Sequence, residues 1–195
     1  MVRIKWTFSV LLLFALLLSA CQPVVAPEAN VAAEPETVSV DEDKIANAMS
    51  AGPAEIAEEA AILDYPEGWP GNWPDEPAPE YVELRPGSNG WTCIADRPDT
   101  PGNDPMCLNE TMRGMVKGLF ALIDPPSTGY GVAYMLQGGG PVGTPPHIMI
   151  YTPGSREDLT ALSTDMNPIT WANGWHMFPE TPYAHLMIAV PMSEE

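Results

Sequence analysis

Basic residues are scarce in this chain, which holds eight lysines and arginines against 26 aspartates and glutamates. Two of the eight, Arg3 and Lys5, precede a long apolar run, so the remainder of the chain keeps six bases and all 26 acids. Nucleic-acid binding needs Lys and Arg to displace counterions from phosphates, and adsorption to anionic lipid headgroups needs the same charge. The composition therefore argues against both, and it predicts no nucleic-acid partner.

The chain also lacks the short motifs that mark common catalytic sites. It contains no Gly-x-Ser-x-Gly nucleophile elbow, no His-Glu-x-x-His zinc motif and only three histidines. With 26 acids, a pair of catalytic carboxylates could be placed almost anywhere, so the sequence selects none. These absences favour a protein without enzymatic activity, and a hydrolase that uses one of the histidines stays open as an alternative.

The N-terminus has the features of a secretory signal. Arg3 and Lys5 are followed by the apolar run Val10–Leu18, and small residues end that run. The sequence Leu18-Ser19-Ala20-Cys21 resembles the lipobox of bacterial lipoprotein precursors. The resemblance implies that a diacylglyceryl group is attached to the Cys21 thiol, that residues 1–20 are removed as a signal peptide, and that the new amine is often acylated, for example with palmitate. A plain cleaved signal and a single uncut membrane helix are the alternatives.

The same resemblance predicts where the protein is located. Cys21 would anchor it to a membrane of the cell envelope through acyl chains, and more than one chain makes such an anchor stable. Gln22 follows the cysteine, and by resemblance to known sorting rules the absence of Asp there predicts the outer membrane in a didermic cell. In a cell with one membrane, the prediction is the outer face of the plasma membrane.

With Cys21 used for lipid, Cys93 and Cys107 remain as a pair in an oxidising compartment. They enclose thirteen residues, three of them prolines. A redox-active pair usually has Cys-x-x-Cys spacing, so this wider spacing predicts a structural disulfide.

The predicted organisation is a tether followed by one domain. Residues 21–41 are rich in Pro, Ala and acids, without aromatic residues or a period that could bury a face, and they predict a disordered tether. Residues 42–195 form the predicted globular domain. Its pattern predicts helices at 41–49, 112–123 and 155–162, strands at 81–84, 89–94, 130–136, 147–151 and 184–190, and an ambiguous segment at 54–63.

Strands and helices do not alternate in this pattern as βαβ units. We therefore predict an α+β fold with a mostly antiparallel sheet, one main amphipathic helix on a face and one disulfide. Residues 86–90 are predicted to join the strands at 81–84 and 89–94 as a hairpin-type turn. Four phrases of the domain resemble those of a group of exported bacterial hypothetical proteins, and this resemblance implies one domain over about residues 42–191 and the Cys93–Cys107 pairing: Ala48-Met49-Ser50-Ala51-Gly52-Pro53, Asn89-Gly90-Trp91-Thr92-Cys93, Gly131 to Leu136, and Pro146-His147-Ile148-Met149.

Histidine and methionine recur together in two of the predicted strands. His147 lies two residues before Met149, and His185 lies two residues before Met187, so each pair shares one face of its strand. Imidazole together with thioether suits copper, Cu(I) above all. If the two strands are paired, the four side chains could converge on one metal site. The alternative is that methionines fill the core and that the histidines hydrogen-bond within the fold.

Two further clusters each have a functional and an ordinary interpretation. The acidic loop between the paired cysteines could bind calcium. The simpler interpretation is a solvated loop in which these residues form turns. Its polar residues are Asp96, Asp99, Asn103 and Asp104. Tryptophans in Pro/Gly-rich segments suit stacking on the sugar rings of an envelope glycan or coverage of the core, and they are Trp69, Trp73, Trp171 and Trp175.

The sequence thus predicts a lipid-anchored envelope protein of the binding-module class. Its leading function is non-enzymatic binding of an envelope ligand or protein partner, with no cofactor. The alternatives are a copper-binding lipoprotein that uses His147, Met149, His185 and Met187, and an envelope hydrolase.

Overall fold

The structure is a computed structural model that describes residues 40–140, 143–153 and 174–191. These described residues belong to one compact unit. Within the described ranges the chain forms, in order, α1 (Val40–Met49), α2 (Ala54–Ala57), β1 (Ala61–Asp64), β2 (Val82–Arg85), β3 (Trp91–Ile94), β4 (Met106–Asn109), α3 (Glu110–Ala121), β5 (Gly131–Met135), β6 (His147–Tyr151), β7 (Trp175–Met177) and β8 (His185–Ala189). None of the helices in these ranges has the length and apolar composition that a membrane span requires.

The eight strands form one sheet in the order β2-β1-β3-β4-β5-β6-β8-β7. Every pair of neighbours is antiparallel except β1 and β3, which run parallel. A mostly antiparallel sheet with few helices confirms the predicted α+β fold.

Helices cover the two faces of the sheet in different places. On one face, α1 and α2 pack with small residues over β1, β3 and β4, and this cluster includes Ala48, Ile62 and Cys93. On the other face, α3 packs over the centre of the sheet, against Ile94 and Leu108 among others. Successive residues of β1, β3 and β4 therefore point alternately into the cluster under α1 and α2 and into the cluster under α3. For this reason these strands are buried on both faces.

The main amphipathic helix, α3, begins at Glu110, two residues before the predicted range, and ends at Ala121. Asn109 is its N-cap, and its Oδ1 accepts hydrogen bonds from the backbone N–H of Met112 (2.9 Å) and of Val132 (3.0 Å). One side chain thus ties the start of α3 to β5. Gly131 in β5 lets the helix approach closely, because a Cβ there would lie 3.2 Å from the Met112 backbone and 2.8 Å from the Tyr151 Cβ.

The predicted hairpin between β2 and β3 is wrong, since β1 lies between these strands and pairs with both. β1 is buried on both faces and so occupies an interior position in the sheet, whereas β2 is largely exposed and forms the edge. The connecting segment passes over the start of β1, where a Cβ on Gly87 would fall 2.0 Å from the Ala61 nitrogen.

The remaining predictions about single elements have mixed outcomes. The ambiguous segment 54–63 contains both α2 and the beginning of β1. The short strands β4 and β7 were not predicted, and the predicted helix at 155–162 lies outside the described residues. The predicted disulfide is confirmed: Cys93 and Cys107 are bonded directly across β3 and β4, with Cα atoms 3.9 Å apart.

Candidate functional site

A cavity of about 200 Å³ lies between α3 and the face of the sheet that carries strands β4 to β8. Apolar side chains form nearly all of its wall, with Phe120 and Leu119 of α3 on one side. Thioethers dominate the rest, and the six methionines are Met106, Met115, Met135, Met149, Met177 and Met187. Methionine is a flexible filler in closed cores, so six of them around one open space form an unusually soft and polarisable wall.

The four residues predicted to bind copper all line this cavity. Strands β6 and β8 are neighbours, and Met149 lies directly opposite Met187. His147 and His185 are on the same sheet face as these methionines, and both histidines are buried, with 1% and 4% of their surface exposed. The condition attached to the copper prediction, that the two strands pair, is therefore met.

Hydrogen bonds fix the tautomer of both imidazoles. Nδ1 of His147 donates to the carbonyl oxygen of Pro145 (2.7 Å), and Nδ1 of His185 donates to that of Tyr183 (2.8 Å). A carbonyl oxygen only accepts, so each Nδ1 carries the proton and each Nε2 keeps its lone pair. Nε2 of His147 is buried and has no hydrogen-bond partner among the described residues.

Burial keeps both imidazoles neutral. Desolvation lowers the pKa of His147, and the hydrogen bond to Pro145 opposes this only in part. The same cause lowers the pKa of His185 to about 4, with smaller contributions from the charged forms of His147 and His176. Around neutral pH the cavity is therefore lined by two neutral imidazoles, each with an unprotonated Nε2 that is a strong hydrogen-bond acceptor and a good metal ligand.

The register of the sheet separates the two histidines. His147 is opposite Ala189, which is four residues from His185 along β8. At a rise of about 3.3 Å per residue, this offset places their Cα atoms roughly 13 Å apart along the strands. The two imidazoles therefore lie toward different ends of the cavity, with Met149 and Met187 between them.

Sequence reasoning missed the methionines that pair with each histidine across the sheet. Met135 of β5 lies directly opposite His147, and Met177 of β7 lies directly opposite His185. Both line the cavity. The third histidine, His176, is paired with Leu186 and does not contribute to the cavity wall. Only the strand order and register, which the sequence pattern does not contain, identify these partners.

The acidic loop between Cys93 and Cys107 forms the polar edge of the cavity, and its carboxylates form hydrogen bonds and an ion pair within the loop itself. Asp104 lines the cavity, and its two oxygens accept from the Arg97 backbone N–H (3.1 Å) and the Thr100 hydroxyl (3.0 Å). Asp99 pairs with the Arg97 guanidinium at 2.6 Å. Among the described residues, no group of three or more His, Cys, Asp or Glu side chains could hold a metal ion, so the calcium hypothesis gains no support.

Tryptophans at the cavity side of the fold contribute to the core. Trp69 is buried and packs against the rings of Tyr65, Tyr81 and Phe120, with centroids 4.8 to 5.2 Å away. Trp175 is fully buried beside His147, with ring centroids 5.6 Å apart. These positions favour coverage of the core over stacking on a glycan, and Trp171 lies outside the described residues.

The hydrolase hypothesis gains no support from these contacts. Within the described ranges, no histidine forms a hydrogen bond with a serine hydroxyl or a carboxylate. His147 and His185 donate to main-chain carbonyl oxygens instead. Comparison of the chain with protein-family models, with curated proteins and with solved structures found no match. The function of the site therefore has to be argued from its own chemistry.

Proposed function

We propose that this protein is a non-enzymatic binding module, held at the cell envelope by lipid on Cys21, and that its ligand occupies the cavity beneath α3. The observation that carries the proposal is a space of about 200 Å³ lined by His147, whose buried Nε2 has no hydrogen-bond partner among the described residues. A buried polar atom without a partner costs about 1–3 kcal/mol. A ligand that satisfies this atom recovers that cost on binding.

The wall restricts the chemistry of the ligand. An engineered apolar cavity of about 150 Å³ binds benzene, so this space suits a molecule of similar size. Both histidines present an acceptor, so an organic ligand needs an O–H or N–H donor on an apolar body. A soft metal ion is the second class of ligand that suits the cavity, since unprotonated imidazoles and thioethers surround it.

The ligand proposal predicts a preference between two small molecules of the same shape. Calorimetry on the chain from residue 22 is expected to show that p-cresol binds about tenfold more tightly than p-xylene, which has a methyl group in place of the hydroxyl donor. Replacing both acceptors (His147→Phe with His185→Phe) is expected to abolish the preference, and His176→Ala, which alters a histidine outside the cavity, is expected to preserve it. Failure of both p-cresol and Cu(I) to bind would contradict the proposed function.

The envelope proposal rests on the lipobox-like sequence and has its own test. In a bacterial host fed labelled palmitate, the full chain is expected to incorporate label and to fractionate with membranes. Cys21→Ser is expected to lose the label completely and to leave the membrane fraction, because no other thiol follows the apolar run directly. Cys93→Ala with Cys107→Ala should keep the label. Labelling that survives Cys21→Ser would place the modification elsewhere.

A further inference from the structure

We infer that the cavity binds two Cu(I) ions at separate sites, each built from one imidazole and two thioethers. One site is His147 with Met135 and Met149, and the other is His185 with Met177 and Met187. The inference rests on the proposed function, because it names the ligand of the same cavity.

Each histidine has two methionines within reach. Met135 and Met177 stand directly across from His147 and His185, where Cβ atoms of paired residues are about 4.5–5.5 Å apart. Met149 and Met187 come two residues later on the same strand face, about 7 Å along the strand. Methionine has three rotatable bonds, so its sulfur can turn toward the Nε2 lone pair without movement of the backbone.

The positions of the rings favour two sites over one shared site. Each Nδ1 is bonded to the carbonyl two residues earlier in its own strand, Pro145 for β6 and Tyr183 for β8. Because β6 and β8 are antiparallel, these carbonyls lie toward opposite ends of the strand pair. Each hydrogen bond therefore ties its ring to one end of the strand pair, in addition to the offset of about 13 Å between the Cα atoms along the strands. A single ion would need both nitrogens about 2 Å away.

The set of donors selects Cu(I) over other common ions. Soft thioethers favour Cu(I), whereas calcium and magnesium take oxygen ligands and structural zinc takes thiolates, imidazoles or carboxylates. Apart from the histidines, Arg97, Asp104 and Thr144, the cavity wall is apolar, and no cluster of three or more His, Cys, Asp or Glu side chains that could hold a metal ion occurs in the described residues. A monovalent ion suits such surroundings, since desolvation of a divalent ion without anionic ligands costs much more.

A competition titration under argon tests the number of sites. The chain from residue 22 is titrated into the Cu(I)–bicinchoninate complex, with ascorbate to keep copper reduced, and loss of the colour of the complex reports transfer to the protein. The wild type is expected to take two ions. His147→Ala and His185→Ala are each expected to take one, and the double variant none.

Volume-conserving variants test the thioethers without opening holes in the fold. Met135→Leu is expected to weaken only the site that survives in His185→Ala, and Met177→Leu only the site that survives in His147→Ala, each by about tenfold or more. Two control variants are expected to keep both sites. Met112→Leu alters a buried methionine outside the cavity, and His176→Ala alters a buried histidine outside it.

The outcomes separate the inference from the function on which it rests. One bound ion that is lost in both single histidine variants would overturn the two-site inference in favour of one shared site. Absence of Cu(I) binding, or two ions that persist in the double variant, would also overturn it. If p-cresol still binds with the preference described above, the proposed function survives. If neither p-cresol nor Cu(I) binds, both fail.

Discussion

Replacement of Cys93 and Cys107 together by alanine is expected to lower the free energy of unfolding by about 3 kcal/mol. The bond closes a loop of thirteen residues, and in the chain-entropy model a loop of about this size restricts the unfolded chain by that amount. Both cysteines are fully buried, and the chain after α1 packs closely on them: a Cβ on Gly52 would lie 3.0 Å from the Cys107 sulfur. Truncation of the sulfurs removes these contacts as well.

Urea denaturation followed by circular dichroism measures this loss. The reduced wild type provides a matched control, since it lacks the bond and keeps the side chains; its unfolding midpoint is expected to fall between that of the oxidised protein and that of the double variant. A loss below about 1 kcal/mol in both would show that the disulfide contributes little to the stability of this fold.

The second large effect is a loss of stability in mild acid. Burial lowers the pKa of His185 from its ordinary 6.5 to about 4. The unfolded chain therefore binds a proton at His185 below about pH 6.5, whereas the folded chain binds it only below about pH 4. The contribution of the neutral, buried His185 to the free energy of unfolding is thus fully present above pH 6.5 and is lost as the pH falls. The difference corresponds to about 3 kcal/mol. The lowered pKa of His147 adds to this loss, whereas the raised pKa of Asp104 opposes it.

Urea denaturation at pH 7.5 and at pH 4.5 tests this prediction. The informative variant is His185→Asn, because the asparagine amide can donate to the Tyr183 carbonyl as Nδ1 does but does not titrate. This variant is expected to lose most of the pH dependence. An equal pH dependence in the wild type and in His185→Asn would show that His185 is not held neutral by burial.

Elements with a strong local pattern could be predicted from the sequence. The helix α3 has apolar residues at helical spacing and an Asn109 cap, and β6 and β8 are short apolar runs bounded by loops. β4 was missed because it has four residues, is buried on both faces and leads directly into the helix, so it shows no alternation. The false hairpin arose because adjacency in sequence was taken for adjacency in the sheet, and the interior position of β1 depends on long-range packing.

The candidate site, like the fold, could be predicted from the sequence only in part. The spacing of His147 and Met149, and of His185 and Met187, placed each pair on one strand face before the strand order was known. The contributions of Met135 and Met177 depend on the register of β5 against β6 and of β7 against β8. That register also separates the two histidines, which sequence spacing alone allowed to converge.

The most direct measurement is anomalous diffraction from crystals of the chain from residue 22 soaked with Ag(I), a monovalent soft ion that does not undergo the redox chemistry of copper. Two silver peaks are expected in the cavity, one bonded to Nε2 of His147 and one to Nε2 of His185, each with methionine sulfurs as its other ligands. A single peak shared by both histidines, or silver only at surface positions, would contradict the account.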